Sequence, residues 1–119
     1  MRAFQEADAL VLATYELTRQ MPDGERFGLQ LQLRRAAVSA ACNIVEGATR
    51  VGTNDYCRFL EISRGSAREC AYLLRLASRL RLLPDRADAL STRYEGLSAG
   101  LFSAIGRLRT GSSLPGHRQ

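Results

Sequence analysis

Lysine and tryptophan are absent from this 119-residue chain, and histidine occurs once, as His117 near the end. With one histidine, the chain has little material for acid–base catalysis or for metal binding through imidazole. Its three cysteines, Cys42, Cys57 and Cys70, are too far apart for a Cys-x-x-Cys metal or redox motif. We therefore expect free thiols, no metal, no cofactor and no enzymatic activity.

Long apolar runs are also missing, and none approaches the roughly 20 residues that a membrane span needs. The first ten residues lack the apolar core of a secretory signal. We therefore expect a cytoplasmic protein without a membrane segment. A hydrophobic content of 45% and a charged content of 24% are typical of a globular chain. A length of 119 residues suffices for one domain with a core, but not for two.

Positive charge is what the chain has in excess. Its 17 basic residues, all arginine, outnumber 12 acidic residues and give a net charge of +5. The planar guanidinium of arginine binds phosphates through paired hydrogen bonds, so the excess is compatible with nucleic-acid binding. GC-rich codon usage is the ordinary alternative explanation of an all-arginine composition.

Apolar residues recur at helical spacing in four segments, and no segment alternates as a strand does. The predicted helices run from about Ala3 to Gln20, from Glu25–Phe27 to Ala48, from Thr53 or Asn54 to Leu82, and from Arg86 to Arg109. Short links rich in Gly, Pro and Asp separate them. The sequence therefore predicts an all-α, antiparallel up-down-up-down four-helix bundle over residues 1–110, with a flexible tail over residues 111–119.

The second predicted helix is apolar on two opposite faces. One face holds Leu29, Leu33, Ala36, Ala40, Ile44 and Gly47. The other holds Phe27, Leu31, Val38, Ala41 and Val45. Because a helix at the surface of a bundle needs only one apolar face, we expect the second to pack against another copy of the chain. The alternative is an unusually central helix in a monomer.

A polar strip separates these two faces and contains Arg35, Ser39, Asn43 and Glu46. The apolar face of the third helix is predicted to hold Phe59, Ile62, Cys70, Leu73, Leu76, Ala77 and Leu80, with Ser66 and Glu69 on the same side. An unpaired glutamate is costly to bury, so we expect Glu69 to meet Arg35 or Asn43. The five residues Arg35, Ser39, Asn43, Glu46 and Glu69 are interpreted as a structural polar cluster. A ligand or catalytic site is the less favoured reading.

The opposite face of the third helix carries Arg64, Arg68, Arg75 and Arg79. These four arginines point within about 60° of one another and span roughly 22 Å. Such a stripe matches the phosphates along a nucleic acid, although solvated helix faces are more common. Only Tyr72 lies near it, so the stripe does not suggest a base-stacking platform.

Two longer segments, FGLQLQLRRAAVSAACNIVEG and DYCRFLEISRGSARECAYLLRLA, together resemble the family named for the protein encoded in 23S rRNA intervening sequences. The family's Asn-Ile-Ala-Glu-Gly signature is matched by residues 43–47, with Val45 replacing alanine. Its Gly-Ser-x-x-Glu element is matched by Gly65, Ser66 and Glu69. The resemblance implies a four-helix bundle that assembles as a ring, with five copies as the best estimate. The family is also similar to the accessory protein of diversity-generating retroelements, a basic pentamer that binds nucleic acid and reverse transcriptase.

Two functions therefore remain open. The first is a non-enzymatic homo-oligomer that binds nucleic acid, RNA or an RNA–protein complex, through Arg64, Arg68, Arg75 and Arg79. DNA and a nucleic-acid-processing protein are the other partners considered. The second is a structural or protein-interaction scaffold without nucleic-acid binding. An enzyme would require Glu46 and Glu69 to act as an acid–base pair or as metal ligands.

Overall fold

In a computed structural model that describes residues 2–111, the chain forms four α-helices and no strand. These are α1 (Arg2–Thr18), α2 (Leu29–Ala48), α3 (Thr53–Arg79) and α4 (Arg86–Thr110), with a short 3-10 turn at Asp23–Glu25. The four predicted helices are confirmed, with ends that differ by a few residues. The tail prediction falls on residues 111–119, of which only Gly111 lies within the described range.

The helices pack as a ring of neighbours in chain order. Each of α1, α2 and α3 packs against the helix that follows it, and α4 returns to α1. The short links make successive helices antiparallel, which confirms the predicted four-helix bundle. The bundle is elongated, with extents of 50 × 21 × 17 Å, because α3 and α4 have 27 and 25 residues.

The first and last helices bury stripes of residues at helical spacing. α1 buries Ala7, Leu10, Thr14, Leu17 and Thr18, and α4 buries Leu90, Tyr94, Leu97, Leu101, Ile105 and Leu108. The phenol of Tyr94 joins the two helices. Its oxygen lies 2.7 Å from Thr14 Oγ1, and it donates a hydrogen bond to the Leu10 carbonyl at 3.2 Å.

Small residues bring α3 close to both of its neighbours. Ser63 donates to the Ala40 carbonyl of α2 at 2.6 Å, and Ser91 of α4 donates to the Ala71 carbonyl at 2.7 Å. A Cβ atom at Gly47 would lie 3.0 Å from Phe59 Cβ, so glycine is required for this contact between α2 and α3. Side-chain hydroxyls can reach a neighbouring backbone only where two helices approach closely.

The predicted buried face of α3 is wrong in phase. Ile62 and Leu80 are 42% and 55% exposed, and Glu69 is also exposed. The helix instead buries Cys57, Leu60, Ser63, Ala67, Cys70, Ala71, Leu73, Leu74 and Ala77. The centre of this face lies about one residue position, or roughly 100°, from the predicted one. Close packing against α2 and α4 places the small residues at the centre and leaves several large apolar residues at the edge.

Candidate nucleic-acid interface

The predicted arginine stripe lies on α3, but its members differ in their surroundings. Arg64 and Arg75 lie on the side of α3 that faces α4. Arg64 Nε lies 3.0 Å from Glu61 Oε1, and its guanidinium lies 5.2 Å from the centre of the Phe102 ring. Arg75 Nη2 lies 3.3 Å from Glu95 Oε1 and from Thr92 Oγ1. Nearby carboxylates therefore largely balance the charge of these two arginines.

Arg68 and Arg79 form the outer part of the stripe. Both side chains are exposed, and neither forms an ion pair within residues 2–111. Arg79 Nε donates a weak hydrogen bond to the Arg75 carbonyl at 3.4 Å. The structure thus brings the four predicted arginines to one side of α3 and leaves two of them without a counter-charge.

The predicted polar cluster forms only in part. Ser39 Oγ lies 2.8 Å from Ser66 Oγ across the groove between α2 and α3. Asn43 Nδ2 donates to the Ser39 carbonyl at 2.8 Å and to Ser39 Oγ at 3.1 Å. These three residues are half-buried, so they satisfy one another at the edge of the bundle rather than in its centre.

The remaining members of the polar cluster do not join it. Glu46 pairs with Arg50 near the end of α2. Glu69 accepts a hydrogen bond from Gln32 Nε2 at 3.3 Å, and not from Arg35 or Asn43 as predicted. The expected partners are wrong because the phase of α3 is wrong: Glu69 lies at the rim of the groove. Glu69 of α3 lies beside Gln32, near the start of α2, whereas Glu46 lies near the end of α2. The two glutamates are therefore too far apart to form an acid–base pair.

The second apolar face of α2 is open to solvent in the single chain. Phe27 is 84% exposed and Val45 is 50% exposed, whereas Ala41 is buried against the bundle. The first face, from Leu33 to Gly47, is buried as predicted. An apolar strip along a whole helix is unusual on a free protein surface.

A second, narrower polar strip of α2 faces α1 and contains Gln30 and Arg34, for which no role was predicted. Gln30 Nε2 donates to the Thr18 carbonyl at 2.8 Å, and Arg34 Nε donates to Thr18 Oγ1 at 2.9 Å. The spacing of Gln30 and Arg34, one turn apart beside the apolar face, was the available signal. This spacing does not predict the contact with Thr18, because the residue of α1 that faces Gln30 and Arg34 depends on the angle at which the two helices cross.

The titratable groups with shifted pKa values belong to the core. Burial raises the pKa of the Cys70 thiol to about 12 and raises the pKa of Tyr94 well above its usual value. Both groups are therefore protonated at neutral pH and act as packing residues. Among residues 2–111, no group of three or more His, Cys, Asp and Glu side chains is placed to hold a metal ion. No helix in this range has the length and apolarity to cross a membrane.

Comparisons with known proteins agree with the fold. The sequence pattern of the 23S rRNA-intervening sequence proteins matches residues 1–103. A crystal structure of a protein of unknown function from the S23 ribosomal protein family of Bacteroides thetaiotaomicron superposes with a TM-score of 0.79. The two sequences are 19% identical over 87% of this chain and 97% of that one. No curated protein matches the sequence.

Proposed function

The chain belongs to the family of 23S rRNA-intervening sequence proteins, and from this premise we propose that it is a non-enzymatic oligomer that binds nucleic acid through surface arginines. The observation that carries the proposal is the outer part of the α3 stripe. Arg68 and Arg79 are exposed and have no carboxylate partner among the described residues. They are therefore free to bind phosphates at no cost in broken ion pairs.

The inner arginines contribute less to this interface. Arg64 and Arg75 would have to leave Glu61 and Glu95 in order to bind phosphate. Exposed ion pairs contribute only about 0–1 kcal/mol each, so a phosphate competes for these arginines at modest cost. We therefore expect a ranking in which Arg68 and Arg79 matter most.

Self-association is the second part of the proposal. The outer face of α2, which consists of Leu31, Val38 and Val45, is half-buried or exposed in the described chain. A second copy that packs on this face would remove its apolar side chains from water. If the contact joins two different faces, rotation of successive copies closes a ring. The family resemblance favours five copies, and a ring repeats the arginine stripe around its circumference.

A protein-interaction scaffold is the alternative function. It is favoured by the same apolar face of α2 and by the carboxylates that already balance Arg64 and Arg75. On this alternative, a protein occupies the apolar face and association withstands salt, because burial of apolar surface is not screened by ions.

One experiment separates the two functions. Light scattering gives the mass of the native protein while a labelled structured RNA is titrated at low and at high salt. The variant R68Q/R79Q is compared with R19Q/R93Q, a matched control that removes two arginines paired elsewhere, with Glu16 and Glu6. We expect R68Q/R79Q to weaken binding and to lower the dependence of log K on log salt by about two, with little change in the control slope.

The opposite results are equally clear. If R68Q/R79Q binds RNA as well as the wild type does, the stripe is not the interface. If the wild-type oligomer does not bind RNA at low salt, the scaffold replaces the first function. For self-association, V38E/V45E is expected to be monomeric, whereas V51E, at a residue that is 97% exposed in the turn before α3, retains the wild-type mass. A monomeric wild type would contradict the argument from α2.

A further inference from the structure

A groove of about 620 Å³ lies between the end of α1 and the first half of α2. Three arginines line it, Arg26, Arg34 and Arg35, together with the rings of Tyr15 and Phe27. Within residues 2–111, no aspartate or glutamate lines the groove. Its volume is within the range of small-ligand sites, and its charge is of one sign.

Arg34 is the fixed centre of this groove. Its side chain is half-buried, and its guanidinium lies 4.4 Å from the centre of the Tyr15 ring. Nε donates to Thr18 Oγ1 at 2.9 Å and Nη2 donates to the Tyr15 carbonyl at 3.2 Å. Both acceptors are neutral, so the positive charge has no counter-charge in the described chain. Partly buried charges are usually paired, and this one is held ready for an anion.

The geometry of Arg34 leaves donors available for that anion. A guanidinium carries five N–H donors, of which Arg34 uses two. Because the side chain is already ordered by Thr18 and Tyr15, binding an anion requires little further loss of side-chain entropy. Arg26 and Arg35, both exposed and without an ion pair in residues 2–111, add positive charge on either side.

The aromatic rings indicate the kind of anion. Phe27 is 84% exposed, which is unusual for so large an apolar side chain, and it lies beside Arg26 at 5.8 Å from guanidinium to ring centre. Tyr15, whose ring is in contact with Arg34, is also partly exposed. Exposed rings that alternate with arginines are typical of proteins that bind single strands, because every base has a face that can stack. Beside the α3 stripe, the exposed ring of Phe102 contacts Arg64, an arginine that is already paired with Glu61.

We infer that this α1–α2 groove is a site for single-stranded nucleic acid, in which Arg26, Arg34 and Arg35 bind phosphates and Phe27 stacks on a base. This inference rests on the proposed nucleic-acid function and adds a second surface with a different substrate class. The stripe on α3 binds phosphates of any form, whereas the groove requires an unpaired base. A second copy of the chain is the rival occupant, because Leu31 and Val38 of the outer face of α2 also line the groove.

The test uses fluorescence anisotropy with a labelled single strand of about 12 nucleotides and with a duplex of the same length. F27A removes the stacking ring and does not alter the core, since Phe27 is exposed. R26Q/R35Q removes two charges and leaves the structural bonds of Arg34 intact. The matched control is R19Q/R93Q, and light scattering gives the mass of every variant.

We expect F27A to weaken binding of the single strand by about 5- to 100-fold, with unchanged affinity for the duplex and unchanged mass. R26Q/R35Q is expected to lower the salt slope by about 1.4 for the single strand only, since each phosphate contact on a single strand contributes about 0.7. If F27A and R26Q/R35Q bind the single strand as the wild type does while R68Q/R79Q does not, the groove is wrong and the proposed function stands. A wild type that binds neither probe overturns both. A variant that becomes monomeric assigns the groove to the contact between copies and overturns the inference.

Discussion

The glycines of α4 provide a sharp test of which surfaces are free. Gly96, Gly100 and Gly106 lie inside a 25-residue helix, where glycine is less favourable than alanine. A Cβ atom added at any of the three positions meets no other atom within 4 Å. Among residues 2–111 of a single chain, nothing therefore requires glycine at these positions, and replacement by alanine should stabilise the protein.

The magnitude follows from the helical conformation of the three residues. Each change from glycine to alanine in a helix interior is worth about 1 kcal/mol, partly because alanine restricts the unfolded chain. If the three effects add, G96A/G100A/G106A increases the free energy of unfolding by about 2–3 kcal/mol. For a chain near 100 residues, a change of 1 kcal/mol shifts Tm by about 4 °C, so an increase of roughly 10 °C is expected.

Circular dichroism at increasing temperature and in urea measures this change. The control is G52A, at the glycine before α3 whose φ is +100°. Alanine is strained in that conformation, so G52A should lower Tm. Light scattering before each melt verifies that the oligomeric state is the same in all variants.

A lower Tm in G96A/G100A/G106A would refute the reasoning. It would mean that the added methyl groups meet atoms outside residues 2–111, because none lies within 4 Å inside that range. A loss of mass in the same variant would identify the neighbour as another copy. The face of α4 that carries Gly96 and Gly100 would then be the surface that receives the outer face of α2.

Two further predictions concern the core. Y94F leaves the buried hydroxyl of Thr14 without its partner at 2.7 Å, so it should lower the free energy of unfolding, measured in urea, by about 1–2 kcal/mol. The loss of stability in T14V/Y94F should be smaller than the sum of the losses in T14V and Y94F. Burial raises the pKa of Cys70 from 9.0 to about 12, so the folded state holds a proton that the unfolded state loses. The contribution of the protonated Cys70 thiol to the free energy of unfolding is complete below pH 9.0 and declines toward pH 12. The urea concentration at the unfolding midpoint should therefore fall above pH 9, and it should fall less steeply in C70A.

The bundle was predictable from the sequence because most of its helices have apolar residues at regular helical spacing. In α4, the large residues Leu90, Leu97 and Leu101 recur at helical spacing, and all are buried. In α2, the first apolar face is buried from Leu33 to Gly47 as expected, whereas packing of the second face against another copy stays a prediction. Where large apolar residues lie only on the buried side, periodicity and packing give the same answer.

Helix α3 shows where this reasoning fails. It packs against two helices, so its buried arc is wide and includes residues that hydrophobicity alone ranks low, such as Ser63 and Ala67. Ser63 is fully buried because its hydroxyl reaches the Ala40 carbonyl, a contact that depends on how closely α2 approaches. The larger Ile62 and Leu80 suggested a face one residue position away. Hydrophobicity ranks residues by size and polarity, whereas a close helix crossing selects for small size.

The same rotation explains the arginine stripe. The angular spacing of Arg64, Arg68, Arg75 and Arg79 was correct, but their common direction depends on where the core lies. With the core rotated by about one residue, the inner pair turns toward α4 and meets Glu61 and Glu95, while the outer pair remains in solvent. The spacing of the four charges does not divide them, because the division depends on Glu95 of α4 and on the phase of α3, although Glu61 lies on α3 itself, three residues before Arg64. Periodicity therefore gives the spacing of the arginines along α3. The charges around each arginine depend in addition on the neighbouring helix α4.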